Sequence, residues 1–239
     1  MDEILEQINK LKLPGMATQW QSLYEMRKTD SVTFPDGLQL LLQSEKDERE
    51  IRRTARLIKR AKFRYHASLD NLYLNPERGI LSSMVKTLAN GHYMEKGESI
   101  IITGATGSGK SFLATAFGYQ ACNQGYKVIY YNIYKLLEHI KLARLEGRSE
   151  KFFDSIAKQD LLVVDDFGLQ TLKGQQQSDL LEIIEDRHSL KSTIIVGQLP
   201  VSSWHEALGG SLTADAILDR IVHTAHRFEL KSNNSLRKL

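Results

Sequence analysis

The chain contains little cysteine and no apolar run long enough to cross a membrane. Its one cysteine, Cys122, has no partner for an internal disulfide bond, and its apolar neighbours indicate a buried helix position without a redox role. The longest apolar runs are far shorter than the roughly 20 residues that span a bilayer. The first residues are acidic and then amphipathic, unlike a secretory signal. We therefore expect a cytoplasmic protein with no membrane partner.

The composition also lacks any extreme that would mark a disordered or fibrous protein. Of the 239 residues, 41% are hydrophobic and 26% are charged, which is ordinary for a globular chain. This length accommodates one main domain with a smaller extension. The net charge is only +3, but the basic residues are concentrated in the N-terminal third. Their position is therefore more informative than their sum.

Apolar residues at helical spacing predict two short helices over residues 4–26, separated at Pro14-Gly15, and one long helix over residues 34–61. The second half of the long helix has no acidic residue after Glu50, so i, i+4 ion pairs are not expected there. This unrelieved repulsion favours an anionic partner, but a solvated helix face stays an equal alternative. The basic stretch predicted to contact DNA comprises Arg52, Arg53, Arg56, Lys59 and Arg60.

Strands and helices alternate from residue 98 onward. Strands are predicted over residues 99–103, 127–131, 161–165, 193–196 and 226–230, with helices over residues 110–123, 133–145 and 175–189. Residues 69–97 hold a short helix over 81–88 and join this region to the N-terminal helices. Repeated βα units with continuous apolar strands predict an α/β fold, in which helices cover both faces of a parallel sheet.

The segment GATGSGKS follows the first strand and opens the next helix, which is the context of a P-loop. Its glycines allow the backbone to bend so that N–H groups point at phosphates. Lys110 would neutralise the β- and γ-phosphates, and the Ser111 hydroxyl would coordinate Mg²⁺. We therefore predict ATP and Mg²⁺ as cofactors. The residues predicted to bind the nucleotide are Gly104, Ala105, Thr106, Gly107, Ser108, Gly109, Lys110, Ser111 and Phe112.

Two carboxylates end the strand over residues 161–165, at the edge where open α/β sheets bind ligands. We assign Asp165 to Mg²⁺ and Asp166 to polarising the attacking water. The strand predicted over residues 127–131 fits between this Walker B element and the P-loop, as in NTPases that place an extra strand between the two motif strands. That arrangement predicts a polar sensor after a further strand. Gln198 fits this role, although a solvent-facing loop glutamine is the alternative.

Together these motifs resemble those of the IstB-like AAA+ ATPases of insertion sequences, which are relatives of the helicase loaders DnaC and DnaI. The resemblance is carried by residues 104–111, 161–168, 192–201 and 215–220, with Leu11 and Pro14-Gly15-Met16 near the start. It implies a AAA+ domain over 69–239 without a helical lid and a small all-helical N-terminal domain over 1–68.

The resemblance also implies roles for two arginines in a homo-oligomer whose ATP sites lie between subunits. Arg220 would act in trans as an arginine finger, whereas the residues alone allow a helix-end ion pair equally well. Arg237 resembles the position of a second sensor that contacts the nucleotide. Arg220 thus joins Lys110, Asp166 and Gln198, which were assigned above from the motifs themselves, in the predicted catalytic set.

The function that the resemblance implies is assembly on DNA with ATP, remodelling of that DNA, and recruitment and stimulation of a transposase. Phosphate contacts would make DNA binding largely independent of sequence. A second basic patch, Lys135, Lys141 and Arg144, would either face DNA or form a charged helix face. The alternative function is a replicative helicase loader. His223 and His226 lack a third ligand, so they are expected to be packing or surface histidines rather than a metal site.

Overall fold

The computed structural model describes residues 2–26 and 32–231. It consists of two compact units, Met1–Arg56 and Leu57–Leu239. The division falls inside the long helix, so it differs from the boundary predicted after residue 68. The physical reason is that Leu57, Ile58 and Phe63 already pack against the apolar core of the second unit. Within the described ranges, no helix is both long and apolar enough to cross a membrane.

The first unit is helical, which confirms the elements predicted for it. Its helices are α1 (Asp2–Lys10), α2 (Pro14–Glu25) and α3 (Phe34–Ala61), the last of which continues into the second unit. Proline occupies the first turn of α2, where its missing N–H group is of no consequence and its fixed φ suits a helix. The Pro14-Gly15 break is therefore the start of a helix.

Helices α2 and α3 meet at Gly15. The Gly15 N–H donates to Glu45 Oε2 at 2.9 Å, and Ser44 Oγ donates to the Gly15 carbonyl at 2.9 Å. Glu45 is buried, which raises the pKa of its carboxyl, but hydrogen bonds from Arg49, Met16 and Gly15 outweigh burial and lower this pKa. The carboxylate is thus ionised at neutral pH and caps the free N–H groups that begin α2.

Replacing Gly15 by Ala should lower the free energy of unfolding by about 2 kcal/mol. The added Cβ would lie 2.4 Å from the Ser44 carbonyl oxygen, so α2 and α3 would have to separate. Chemical denaturation followed by circular dichroism measures this loss. Gly37→Ala is the matched control, because its Cβ would meet Val32 at an ordinary 3.6 Å and alanine favours a helix. Equal destabilisation by both substitutions would contradict the prediction.

The second unit contains the predicted α/β sequence of elements. Two 3₁₀ helices (Leu69–Asn71 and Pro76–Arg78), α4 (Ser82–Ala89) and α5 (His92–Glu95) precede the sheet. There follow β1 (Ile100–Gly104), α6 (Lys110–Asn123), β2 (Val128–Asn132), α7 (Ile133–Leu145), α8 (Ser149–Ala157), β3 (Leu161–Phe167), α9 (Gln175–Arg187), β4 (Ser192–Gly197), a 3₁₀ helix (Val201–Ser203), α10 (Trp204–Ala207), α11 (Leu212–Val222) and β5 (His226–Leu230). All the predicted strands are confirmed, whereas α5, α8, α10 and α11 go beyond the predicted helices.

The five strands form a parallel sheet in the order β2-β3-β4-β1-β5. Ile100 and Ile102 belong to the apolar core on one face, while Ile101 belongs to the core on the other, so the sheet is covered on both sides as predicted. The prediction that the strand over residues 127–131 lies between the two motif strands β1 and β3 is wrong. That strand is β2, which pairs with β3 at the edge of the sheet, whereas β4 pairs with both motif strands and separates them.

This order brings the predicted motifs together. The P-loop follows β1, the two aspartates end β3, and Gln198 follows β4, so all three lie at the carboxyl edge of adjacent parallel strands. Register supports the same arrangement, because Asn132 pairs with Asp165 and Thr103 pairs with Gly197. The sheet therefore positions one site at this edge.

Candidate nucleotide-binding site

The P-loop has the backbone conformation that a phosphate cradle requires. Gly107 and Gly109 have φ values of 80° and 94°, in the left-handed region that glycine adopts without steric cost. Gly109 immediately precedes α6, so the unpaired N–H groups at the start of this helix face the loop. Lys110 is 7% exposed, and its Nζ donates to the Ala105 carbonyl at 2.7 Å. Its ammonium therefore lies within the loop.

One polar atom of the P-loop is placed where it suits a polar ligand. The Ser108 hydroxyl is buried, and no hydrogen-bond partner for it exists among the described residues. A buried polar group without a partner is unfavourable, so such a group fits a site that a polar ligand completes. Together with the glycine conformations and Lys110, this fits the phosphates of a nucleotide.

Asp165 is held rigidly at the end of β3. It is 1% exposed, and its Oδ2 accepts a hydrogen bond from the Tyr130 hydroxyl on β2. Burial and the negative charge of Asp165 raise the pKa of Tyr130 well above its ordinary value, so this phenol stays a donor at neutral pH. One carboxylate oxygen is thereby fixed, and Oδ1 accepts the Asp166 N–H at 2.8 Å.

Asp166 adopts a strained conformation at the same edge. Its φ is 61°, which is uncommon for a residue other than glycine, and the pairing of β3 with β4 is interrupted between Val164 and Phe167. Its Oδ2 accepts a 2.6 Å hydrogen bond from Asn132 Nδ2 and lies 3.7 Å from Arg64 Nη1. Strain of this kind is retained where surrounding contacts enforce it, often at functional sites.

Asn132 was not among the predicted site residues. Its Oδ1 accepts the backbone N–H groups of Tyr134 and Lys135 and so caps α7, while its Nδ2 holds Asp166. A cap residue that ends β2 at the carboxyl edge of the sheet is the signal that would have indicated it. Its two roles make the position of Asp166 dependent on the start of α7.

Gln198 lies beside the P-loop, where a sensor is expected. Its Oε1 accepts a 2.8 Å hydrogen bond from the Thr106 hydroxyl. Gln198 is thus half-buried and contacts the P-loop of the same chain. Whether it contacts phosphate or water stays a prediction.

The P-loop, Asp166 and Gln198 line one cavity of about 710 Å³. A cavity of this size accommodates a nucleotide. Its other walls come from residues before β1, principally Arg64, Tyr65, Tyr73 and Arg78. Arg78 Nη2 donates to the Ser108 carbonyl at 2.9 Å, and the Arg78 guanidinium carbon lies 5.6 Å from the centroid of the Tyr73 ring. Phe112, predicted to bind nucleotide, lines the cavity and stacks on Tyr65 at 6.2 Å.

The structure corrects one expectation about the basic stretch. Arg52 Nε donates to Glu48 Oε1 at 2.6 Å, so an i, i+4 ion pair is present and the prediction that such pairs are missing is wrong for Arg52. The reason is that the pairing carboxylate lies one turn before the basic stretch. Lys59 and Arg60 are exposed in the last turn of α3.

Arg144 is exposed, but its guanidinium is paired with groups of the protein itself. Its Nη2 lies 2.6 Å from the buried Asp179 carboxylate, and its guanidinium packs over the Phe153 ring at 5.5 Å. Removing a partner from a buried carboxylate is costly, so Arg144 stabilises the packing of α7 on α9. Lys135 and Lys141, the other members of the second patch, are exposed on α7.

Arg220 lies in the last turn of α11, and within the described part of the chain it is not among the residues that line the nucleotide cavity. Its guanidinium donates to Glu185 Oε1 at 3.0 Å and to the Ala216 carbonyl at 2.9 Å. Within one protomer, Arg220 therefore forms an ion pair near the end of its helix, which was the alternative to a role as an arginine finger in trans. Arg237 lies outside the described residues.

His223, His226 and Cys122, the other residues considered in the sequence, do not line the nucleotide cavity formed by the described residues. His226 Nε2 lies 2.8 Å from Glu98 Oε2. Among the residues that the structure describes, no three His, Cys, Asp or Glu side chains are grouped to hold a metal ion. Cys122 is buried, and burial raises the pKa of its thiol to about 12, which keeps it protonated and unreactive.

Comparison with known proteins agrees with the geometry of the site. The family model described as IstB-like ATP binding protein matches residues 6–239. A protein of Sinorhizobium fredii named for ATP binding in an insertion sequence is 38% identical over 98% of this chain and 95% of its own length. A Pseudomonas fluorescens protein named for ATP binding in the insertion sequence IS1162 is 37% identical over 83% of this chain and 87% of its own.

Solved structures show the same fold at lower sequence identity. The crystal structure of the DnaC helicase loader is 24% identical, with a TM-score of 0.61, and the match covers 72% of this chain and 100% of that one. The replication initiator DnaA bound to AMPPCP and single-stranded DNA is 23% identical, with a TM-score of 0.63, over 74% of this chain and 53% of that one. The second unit thus has the AAA+ P-loop fold, and the chain belongs to the family of IstB-like ATP-binding proteins.

Proposed function

We propose that this protein is a Mg²⁺-dependent ATPase that assembles on DNA and serves a transposase during transposition of an insertion sequence. The observation that carries the proposal is the cavity in which the P-loop, Asp166 and Gln198 meet, in a chain whose relatives are named for ATP binding in insertion sequences.

The first step is nucleotide binding by the P-loop. Backbone N–H groups at the start of α6, the Ser108 hydroxyl and the Lys110 ammonium would hold the phosphates. The Ser111 hydroxyl and the Asp165 carboxylate are the side chains that would hold Mg²⁺, whose charge would stabilise the negative charge that develops on the phosphates. The hydrogen bond from Tyr130 to one oxygen of Asp165 fixes the position of the Asp165 carboxylate.

The second step is activation of water. Asp166 is the carboxylate that lines the cavity, and Asn132 orients it through a 2.6 Å hydrogen bond. A carboxylate placed in this way accepts a hydrogen bond from a water and directs its lone pair at the γ-phosphate. Gln198, tied to the P-loop through Thr106, would contact the same water or the phosphate. Hydrolysis would then time the release of the assembly from DNA.

The third step is completion of the site by a second subunit. Among the described residues, Arg220 does not line the cavity of its own subunit, although the family resemblance assigns it to the γ-phosphate. A head-to-tail assembly would present Arg220 of one subunit to the cavity of the next. Its pair with Glu185 is partly exposed, so separating the two would cost little. We therefore propose that assembly is required for rapid turnover.

DNA binding is proposed for the basic stretch of α3 and for Lys135 and Lys141 on α7, while Arg144 is better explained by its contacts with Asp179. Replacing Lys59 and Arg60 with Gln should weaken duplex binding and reduce the slope of log affinity against log salt by about 1 to 2, because each lost phosphate contact lowers it by roughly 0.9. Fluorescence anisotropy over a salt series measures this for two unrelated duplexes.

The matched control replaces two exposed lysines elsewhere in the chain, Lys86 and Lys96, with Gln. It removes the same charge outside the proposed surface, so its salt slope should equal that of the wild type. If the salt slope fell by the same amount in both double variants, DNA binding would depend on net charge alone. That result would contradict a defined DNA surface on α3.

Partner capture tests the function as a whole. The purified protein with ATP and DNA should retain the transposase encoded with it and should not retain the replicative helicase. ATP hydrolysis should increase with duplex DNA, because assembly completes the sites. Capture of the helicase alone would favour the loader function instead, and absence of hydrolysis under all these conditions would contradict the ATPase proposal.

A further inference from the structure

The segment that follows α3 is anchored on the P-loop helix α6 by aromatic contacts. Phe63 stacks on Tyr119 with ring centroids 4.7 Å apart, and Tyr65 stacks on Phe112 at 6.2 Å. Gly118 on α6 makes this approach possible, since an added Cβ would lie 2.6 Å from the Phe63 ring. Arg64, between the two anchored rings, is thus held at a defined position beside the P-loop.

Arg64 faces the predicted catalytic carboxylate. Its Nη1 lies 3.7 Å from Asp166 Oδ2, and both residues line the nucleotide cavity. This distance is too long for a strong hydrogen bond, and the Arg64 side chain is 57% exposed, so the pair contributes little. Asn132 holds the same oxygen at 2.6 Å. Asp166 therefore keeps its position when Arg64 turns to a stronger acceptor.

We propose that Arg64 binds the γ-phosphate of ATP within its own subunit and gives the site its preference for ATP over ADP. The inference rests on the proposed ATPase function. Asp166 marks the end of the cavity where water would attack, and Arg64 is the guanidinium beside it. Arginine–phosphate pairs are planar, short and strong, whereas the observed pair with Asp166 is long and exposed. On binding ATP, Arg64 leaves Asp166 and frees it to orient water.

The test compares affinities for ADP and for a non-hydrolysable β,γ-methylene analogue of ATP, measured by calorimetry in the presence of Mg²⁺. Arg64→Gln should lose about tenfold in affinity for the analogue, because it loses a charge-assisted contact made only by the γ-phosphate. Its affinity for ADP should change less than about twofold. Arg64→Lys, which keeps the charge, should be intermediate. Lys86→Gln, outside the cavity, should change neither affinity.

Three results would overturn the inference. If Arg64→Gln and Arg64→Lys each lost as much affinity for ADP as for the analogue, Arg64 would contribute to general packing of the cavity and not to recognition of the γ-phosphate. Unchanged affinity for the analogue would show that Arg64 does not reach the γ-phosphate. A wild-type protein that binds neither nucleotide would overturn the ATPase function as well, which separates the two failures. Thermal unfolding of each variant verifies that it is folded.

Discussion

Replacing Asp166 by Asn should lower the rate of ATP hydrolysis by about 10³-fold, while nucleotide affinity changes less than about twofold. The substitution removes the charge that polarises the attacking water but keeps the size of the side chain. It also suits the backbone, because asparagine tolerates a positive φ better than most residues and Asp166 has φ 61°. Phosphate release measured at saturating ATP, together with binding of a non-hydrolysable analogue, gives both quantities.

Lys110→Ala is the contrasting variant. It should lose nucleotide binding itself, because Lys110 supplies the buried positive charge of the P-loop. Asn132→Ala should resemble Asp166→Asn more weakly, since Asp166 would keep its charge but lose its orienting hydrogen bond. If Asp166→Asn hydrolysed ATP at the wild-type rate, the catalytic base would have to be another residue.

The parts of the site that the sequence predicts are those with a local signature. The P-loop pattern is contiguous, and continuous apolar strands such as β3 end directly in Asp165 and Asp166. The alternation of strands and helices also predicts the parallel sheet, because each strand must be covered on both faces. Gln198 follows from the same logic, since it ends a strand whose neighbours carry the motifs.

The parts that the sequence does not predict depend on contacts between distant segments. Asn132 reaches Asp166 only because β2 pairs with β3, and Arg64 and Arg78 reach the cavity only through the path of the chain before β1. The sequence does not show that Arg144 forms an ion pair with Asp179, because these residues come together only when α7 packs on α9. The boundary between the units also cannot be predicted from the sequence. The helical spacing of apolar residues continues through α3, although the end of α3 packs against the core of the second unit.

Arg220→Ala should bind ATP normally but lose about 10³-fold in hydrolysis, because an arginine finger acts on the charge of the transition state. Two explanations of such a loss differ in a testable way. If Arg220 matters only through its ion pair with Glu185, then Glu185→Gln should reproduce the loss. If Arg220 acts in trans, Glu185→Gln should retain turnover, because it removes the cis partner and leaves the arginine available to the neighbouring subunit.

Mixing variants completes this test. A subunit carrying Asp166→Asn still presents Arg220, and a subunit carrying Arg220→Ala still holds an intact Asp166. Random assembly at equal amounts would place an intact Arg220 against an intact Asp166 at about a quarter of head-to-tail interfaces. Hydrolysis should therefore recover to about that fraction of the wild-type rate and vary with the mixing ratio. Two inactive proteins that stay inactive at every ratio, despite forming mixed assemblies, would show that each site uses only its own subunit.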